Sequence, residues 1–314
     1  MPPWMQSVAK KLSRGVVKAA TFWMPAARRK ALERRVRGRE QYAKLRRADV
    51  VVVSFGKSGR TWLRVLISRF FQVRDNLPER MLIGFDNFHR RRPAIPKIFF
   101  THDNYLKDYS GEGDSKAAYR GRKVVLLVRH PADVGVSQFF QWRFRMKPHK
   151  KALNDYPSDD GEMSVATFLQ QEGGGMPRIV AFLNAWAREL RQNNDILVVR
   201  YEDLRSDPET QLARLLDFIG TPGLPEQVAE AVRFASFDNM RKLEEKRTFW
   251  LSGGRMVPRN RGNLDSYKVR RGKVGGFRDY LEEAEIEQVE KQLENTLAPV
   301  YGYTQAPRGE EEQA

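Results

Sequence analysis

The sequence predicts an α/β fold of three layers, a central parallel sheet flanked by helices on both faces. Three observations predict it. Val50–Phe55 opens with four consecutive valines and is interrupted only by Ser54, as expected of a strand buried on both faces. Apolar strand-like runs then alternate with helix-like periodicity to the end of the chain, the pattern of a doubly wound sheet. Between the first strand and the first core helix lies a short glycine-containing turn, Gly56–Gly59.

Taken in order, Thr61–Phe71 reads as a helix with Trp62, Leu66, Ile67, Phe70 and Phe71 on its inward stripe. Lys97–Thr101 and Val124–Val128 read as the second and third strands. Pro131 suits the first turn of a helix running to Arg145. Lys147–Gly161 is polar and irregular and is expected to be a surface loop. Pro177–Gln192 is a helix, and Ile196–Arg200 the fourth strand. Asp207–Ile219, Pro225–Phe234 and Glu282–Leu297 are helices, while Ser252–Gly276 shows no period. Three segments result: a basic helical extension over 1–48, a catalytic-sized domain over 49–304, and a polar tail over 305–314 expected to be disordered.

The chain has 314 residues, with 56 Lys/Arg against 39 Asp/Glu and a formal net charge of +17. Such a charge attracts polyanions without choosing among them. With no cysteine, disulfides, thiolate metal sites and cysteine nucleophiles are excluded. No metal site is expected. Neutral-pH bases are restricted to His89, His102, His130 and His149. No apolar run approaches the ~18 residues that span a bilayer.

Residues 1–49 hold 14 Lys/Arg and three acids, 14 − 3 = +11, so most of the excess charge sits there. A helix over Trp4–Trp23 would place tryptophan and aliphatic residues on one face and Lys10, Lys11, Arg14 and Lys18 on the other. That pattern suits a helix lying on an anionic membrane, with residues 4–47 as the peripheral contact. A helix packed on the domain and a cleaved transit peptide are the competing readings. Arg28–Arg47 continues as a basic helix softly interrupted at Gly38. The expected location is the cytoplasm, at the cytoplasmic membrane face if the contact forms.

Ser54–Trp62 reads SFGKSGRTW. A turn leading from a buried strand into a helix aims backbone N–H groups and the positive helix end at one point. Lys57 adds a charge, and Ser58, Arg60 and Thr61 add donors, so a phosphate is expected there. Gly56-Lys57-Ser58 matches the end of a Walker A loop, but Val51 occupies its first glycine position and lies within the strand. The turn is P-loop-like rather than that of an ordinary ATPase.

KSGRTW resembles the 5′-phosphosulfate loop, PKSGTTW, of sulfotransferases of cytosolic type that use 3′-phosphoadenosine-5′-phosphosulfate (PAPS). The resemblance implies that Lys57, Ser58, Gly59, Thr61 and Trp62 bind the donor, Trp62 by stacking on adenine; Arg60, a candidate donor contact outside the family's pattern, either adds a phosphate contact or points away. Gly56 stands for the usual proline and Arg60 for a threonine. VVLLVRHPADVGVS, 124–137, resembles the family's R-x-P-x-D-x-x-x-S segment, which implies Arg129 and Ser137 at the 3′-phosphate. VVRYEDLRSDP, 198–208, and ASFDNM, 235–240, imply Tyr201 and Phe237 beside adenine. YKVRRGKVGGF, 267–277, resembles the closing loop over the 3′-phosphate and implies Arg270, Arg271 and Gly272. Arginines and a glycine suit a dianion.

In that family a histidine in a K-T-H segment is the catalytic base, which implies His102 in FFTHDN; His130 ranks second. Lys57 would meet the leaving oxygen, with 3′,5′-ADP as product. Phe100 replaces the lysine of that segment, so its charge is lost or comes from elsewhere, with Lys97 a candidate. The implied reaction is sulfuryl transfer to a hydroxyl or amine on a small molecule, a lipid or a membrane-associated glycan. Neither the acceptor nor the oligomeric state is legible, and no specific nucleic acid is implied. The alternatives are a nucleotide kinase or NTPase, which lacks an evident Walker B carboxylate, and a non-catalytic binder of membranes or polyanions.

Overall fold

In a computed structural model, the chain is described over residues 21–304, apart from 22, 159–160, 250–255, 258 and 261. The helix expected over Trp4–Trp23 and the tail from 305 therefore lie outside the described residues, save for a turn at Thr21–Met24.

Four parallel strands form the centre: β1 (Val50–Ser54), β2 (Ile98–Thr101), β3 (Lys123–Val128) and β4 (Ile196–Arg200), in the spatial order β2-β1-β3-β4. Val53 pairs with Thr101 and Leu126, and Val128 with Arg200, so the strands end nearly level. Alternation along the strands divides the core. Val50, Val52, Val125, Leu127 and Val199 face one apolar layer. Val51, Val53, Val124, Leu126 and Val128 face the other. Both faces must then be covered, and helices cover them.

The first face is covered by α2 (Arg60–Arg74), through Leu63, Leu66, Ile67 and Phe70, with α9 (Pro208–Phe218) and α10 (Pro225–Phe234) beside it. The second is covered by α4 (Pro131–Phe144), α7 (Met176–Leu190) and α12 (Glu283–Thr296), whose Val136, Ile179, Leu183, Trp186, Ile286 and Val289 are buried. The expected three-layer α/β/α fold is present. The remaining helices are α1 (Ala26–Leu45), α3 (Leu106–Ser110), α5 (Pro148–Leu153), α6 (Val165–Leu169), α8 (Tyr201–Ser206) and α11 (Phe237–Glu245).

Two expectations change. The helix α1 runs through Gly38 without a break. Gly38 is there because α3 crosses closely: a Cβ would lie 2.3 Å from the Tyr105 carbonyl oxygen. Arg34 ties α1 to the core by hydrogen bonds to Asp108 and to the Leu153 and Asn104 carbonyls. The segment 147–161 is no simple surface loop. It contains α5, and Leu153 and Asn154 are buried. Its two aliphatic side chains, Ala152 and Leu153, are adjacent, which leaves no period to read.

Candidate active site

Each strand delivers a side chain or turn at its carboxyl end: the 55–59 turn after β1, His102 after β2, Arg129 after β3 and Tyr201 after β4. A parallel sheet thus brings residues distant in sequence to one edge. They line a cavity of about 550 Å³, ordinary for a small-molecule site. Thirteen of the fourteen expected site residues line it: Lys57, Gly59, Arg60, Thr61, Trp62, His102, Arg129, Ser137, Tyr201, Phe237, Arg270, Arg271 and Gly272. Ser58 does not; it is buried, 2% exposed.

The turn after β1 is curled by left-handed backbone at Lys57 (φ 75°) and Gly59 (φ 95°). A lysine in that region is uncommon and costs about 1–3 kcal/mol. At Gly59 a Cβ would lie 2.6 Å from the Tyr201 ring, so glycine lets the turn sit against that aromatic. Gly56 has a similar account: its Cβ would stand 3.2 Å from Gln138 Oε1, where a proline would crowd the amide. Burial, the first cause, and the neighbouring charges of Arg145, Lys268 and Arg270 lower the Lys57 ammonium to about 7.

His102 has a defined tautomer. Its Nδ1 lies 2.8 Å from the Ser54 carbonyl oxygen, which can only accept, so Nδ1 carries the proton. Nε2 is the basic nitrogen, and Arg60 Nη2 donates to it. Burial, then the Arg60 charge, holds the imidazole well below the usual histidine range, so it is neutral at pH 7. Phe100 leaves no cation on β2, and Lys97 does not replace it: it precedes the amino end of the strand, its backbone bound by Asp49. The cations that come close are Arg60 and Arg64, the latter 3.7 Å over the Phe100 ring.

Trp62, Tyr201 and Phe237 gather at one end. Trp62 and Tyr201 meet edge to face at 5.7 Å, and the Trp62 indole N–H donates to the Ala235 carbonyl. Gly272 (φ 63°) approaches Phe237 so closely that a Cβ would stand 3.0 Å from its ring. The Tyr201 hydroxyl donates to the Gly272 carbonyl. Arg129 lies 4.3 Å over the Tyr201 ring, and its Nε is buried with no hydrogen-bond partner.

Two buried carboxylates that sequence reasoning gave no role hold the loop carrying Arg270–Gly272. Glu244, fully buried, accepts from the backbone N–H groups of Lys268 and Val269. Asp133 accepts from those of Gly275 and Phe277, and from Arg129. Arg129 also donates to the Lys273 carbonyl. The loop is thus clamped on both sides of its arginines. Asp133 had a signal, since it sits four residues after Arg129 in the motif. Glu244 had none; it is one acid in a charged stretch.

Arg270 donates to the Tyr280 hydroxyl and lies 3.9 Å over Phe140, while Arg271 pairs with Asp279. The other histidines stand apart. His130 stacks on Phe277, His89 faces the Ile95 carbonyl and His149 pairs with Glu33. Among the described residues no group of carboxylates and histidines is arranged to hold a metal, and no helix is long and apolar enough to cross a membrane.

Residues 47–300 match the family model described as sulfotransferase domain. Among curated relatives, cytosolic sulfotransferase 12 of Arabidopsis thaliana is 25% identical over 79% of this chain and 76% of its own. Flavonol 3-sulfotransferase of Flaveria bidentis is 25% identical over 82% of this chain and 84% of its own. Among solved structures, mouse sulfotransferase SULT7A1 complexed with PAP superposes with a TM-score of 0.52 at 19% identity, over 84% of this chain and 92% of that one. Retinol dehydratase in complex with retinol and PAP gives 0.52 at 18% identity, over 82% of each chain. These two likenesses establish the fold.

Proposed function

The chain belongs to the sulfotransferase domain family, and on that premise we propose that it transfers a sulfuryl group from PAPS to a hydroxyl or amine, with His102 as base. The observation that carries the reading is the pairing of two anion sites around an aromatic slot. One is the turn at Lys57; the other is Arg129, Ser137 and the clamped loop of Arg270–Gly272. Trp62, Tyr201 and Phe237 form the slot, the Tyr201 ring against Gly59 of the turn and the Phe237 ring against Gly272 of the loop. The orphaned, buried Arg129 Nε suits a phosphate oxygen.

The donor supplies an activated sulfuryl group whose S–O bond to phosphate breaks as the acceptor's bond to sulfur forms. His102 Nε2 takes the acceptor's proton, and Nδ1–H stays on the Ser54 carbonyl, holding the ring in place. Arg60, on Nε2 in the protein alone, must yield that nitrogen to the acceptor. Its guanidinium then supplies the positive charge that Phe100 cannot. Lys57 meets the charge growing on the leaving phosphate; bound beside that anion, it regains its proton. The preorganised loop spends no energy on reorganisation during transfer.

A membrane-borne lipid or glycan acceptor remains part of the proposal. Trp23, 71% exposed, precedes α1, whose first turn carries the exposed Arg28, and residues 4–47 would touch an anionic leaflet. Co-sedimentation with phosphatidylglycerol vesicles should require residues 1–25; equal binding by the truncated chain contradicts this.

The reading is tested with radiolabelled PAPS and a panel of acceptors. Label should pass to an acceptor with release of 3′,5′-ADP. His102→Ala should lower turnover by about 10²–10⁴ while 3′,5′-ADP still binds. A chain that neither binds 3′,5′-ADP nor gains thermal stability from it is not this enzyme.

A further inference from the structure

The acceptor half of the cavity carries chemistry that the donor leaves unused. Away from the aromatic slot its wall comes from the end of α4, from α5 and from the start of α7. These contribute four cations, Arg145, Lys147, Lys150 and Arg178. Among the described residues the only carboxylate lining the whole cavity is Asp133, which is occupied by Arg129 and two backbone N–H groups. Arg178 donates to the carbonyls of Asn154 and Gly173, bonds that orient it without neutralising it. Arg145 reaches Glu244 at 3.7 Å, but that carboxylate is shared with Lys268 and Val269. Lys57 registers this crowding through Arg145 and Lys268. Against Lys147 and Arg178 and the shared Arg145, an uncharged acceptor would leave like charges facing one another; an anion would relieve them.

A second observation comes from Gln138. It is 4% exposed and lines the cavity next to the Lys57 turn. Its Nε2–H donates to the Tyr156 hydroxyl, whose ring lies under Arg178. Its Oε1 is buried with no hydrogen-bond partner. A buried, unpaired acceptor oxygen on a residue that lines the cavity marks where a ligand's donor belongs.

We propose that this half of the cavity is a subsite for an anionic acceptor. The carboxylate, phosphate or sulfate of the acceptor rests against Arg145, Lys147, Lys150 and Arg178, and a hydroxyl or amine N–H donates to Gln138 Oε1. The proposal rests on the sulfotransferase reading and narrows its substrate class.

The test is calorimetric, on the full chain saturated with 3′,5′-ADP and titrated with tripolyphosphate or citrate. One of these anions should bind, tripolyphosphate if the acceptor's group is a phosphate or sulfate, citrate if it is a carboxylate. The double variant Lys147→Gln/Lys150→Gln should weaken that binding at least about fivefold and change 3′,5′-ADP affinity less than about twofold. Arg28→Gln/Arg29→Gln on α1 should leave both unchanged. Matched phenols should rank 4-hydroxyphenylacetate above p-cresol above tyramine in kcat/KM. Gln138→Met, which keeps the volume, should raise the KM of the best of them. Binding of neither anion, binding that ignores the lysine variant, or the reverse rank of phenols overturns the subsite. The titrations are repeated without nucleotide. Loss of 3′,5′-ADP binding alone, with the anion still bound and still sensitive to the lysines, would count against the donor site and in favour of the subsite.

Discussion

His102 and Lys57 show how burial sets two protonation states at once. Desolvation opposes charge on both, and nearby arginines add to it. For His102 the result is a neutral ring with its proton on Nδ1. ¹⁵N-detected NMR of the ligand-free protein should show that tautomer with no titration between about pH 8 and pH 6; an ordinary midpoint there would contradict it. For Lys57, with the free amine near 7, a bound anion raises the pKa. Binding of 3′,5′-ADP above pH 7 should therefore take up protons. Its affinity should fall with rising pH from 7 upward, by up to about tenfold per unit, until the pKa of the complex is passed. Calorimetry in buffers of different ionisation enthalpy reads the uptake, and Lys57→Ala should abolish it. Both residues were legible in the sequence through the motifs around them, but their protonation states were not. Those depend on which distant groups surround them: Ser54, Arg60, Arg145 and Lys268.

At the scale of the element, the loop 268–277 is the decisive piece, because it carries Arg270 and Gly272 yet contains no regular secondary structure to hold it over that stretch before its final turn. Glu244 and Asp133 take the place of that structure by accepting its backbone N–H groups. Glu244→Gln keeps the shape but replaces one acceptor oxygen with a donor facing backbone N–H groups. A buried mismatch of that kind costs about 1–3 kcal/mol, and 3′,5′-ADP should bind at least about tenfold more weakly, with faster amide exchange at Lys268 and Val269. Unchanged affinity would mean that the loop needs no clamp. The helix α1 offers a packing test. Gly38→Ala places a methyl against the Tyr105 carbonyl. Overpacking typically costs about 1–3 kcal/mol, so the melting temperature should drop by several degrees even though alanine is the better helix former. The sequence made Gly38 look like a break because glycine weakens helices. Only the crossing of α3 gives its reason. The helix α5 was missed for the opposite cause, since six residues whose two aliphatic side chains are adjacent show no period.

On the scale of the whole molecule, the four strands were readable because each is a short apolar run bounded by polar turns, and the parallel order follows from their alternation with helices. Once the sheet is parallel, residues 57, 102, 129 and 201 must meet at its carboxyl edge, and the helices and loops that surround that edge supply the rest of the cavity wall. What no periodicity could show is the side-chain wiring across that edge: Arg60 on His102, Gly59 beneath Tyr201, Arg129 joined to the loop through Asp133. The central claim is that this edge holds two anion sites at once, one for each phosphate of a 3′,5′-bisphosphorylated adenosine. The most direct measurement compares 3′,5′-ADP with 5′-AMP by calorimetry on the wild-type chain and on Arg129→Ala. Charge-assisted hydrogen bonds contribute about 1.5–3 kcal/mol each, so the wild-type chain should prefer 3′,5′-ADP by about two orders of magnitude or more, and Arg129→Ala should remove most of that preference while barely changing 5′-AMP. Equal affinity for the two nucleotides in the wild-type chain would contradict the account.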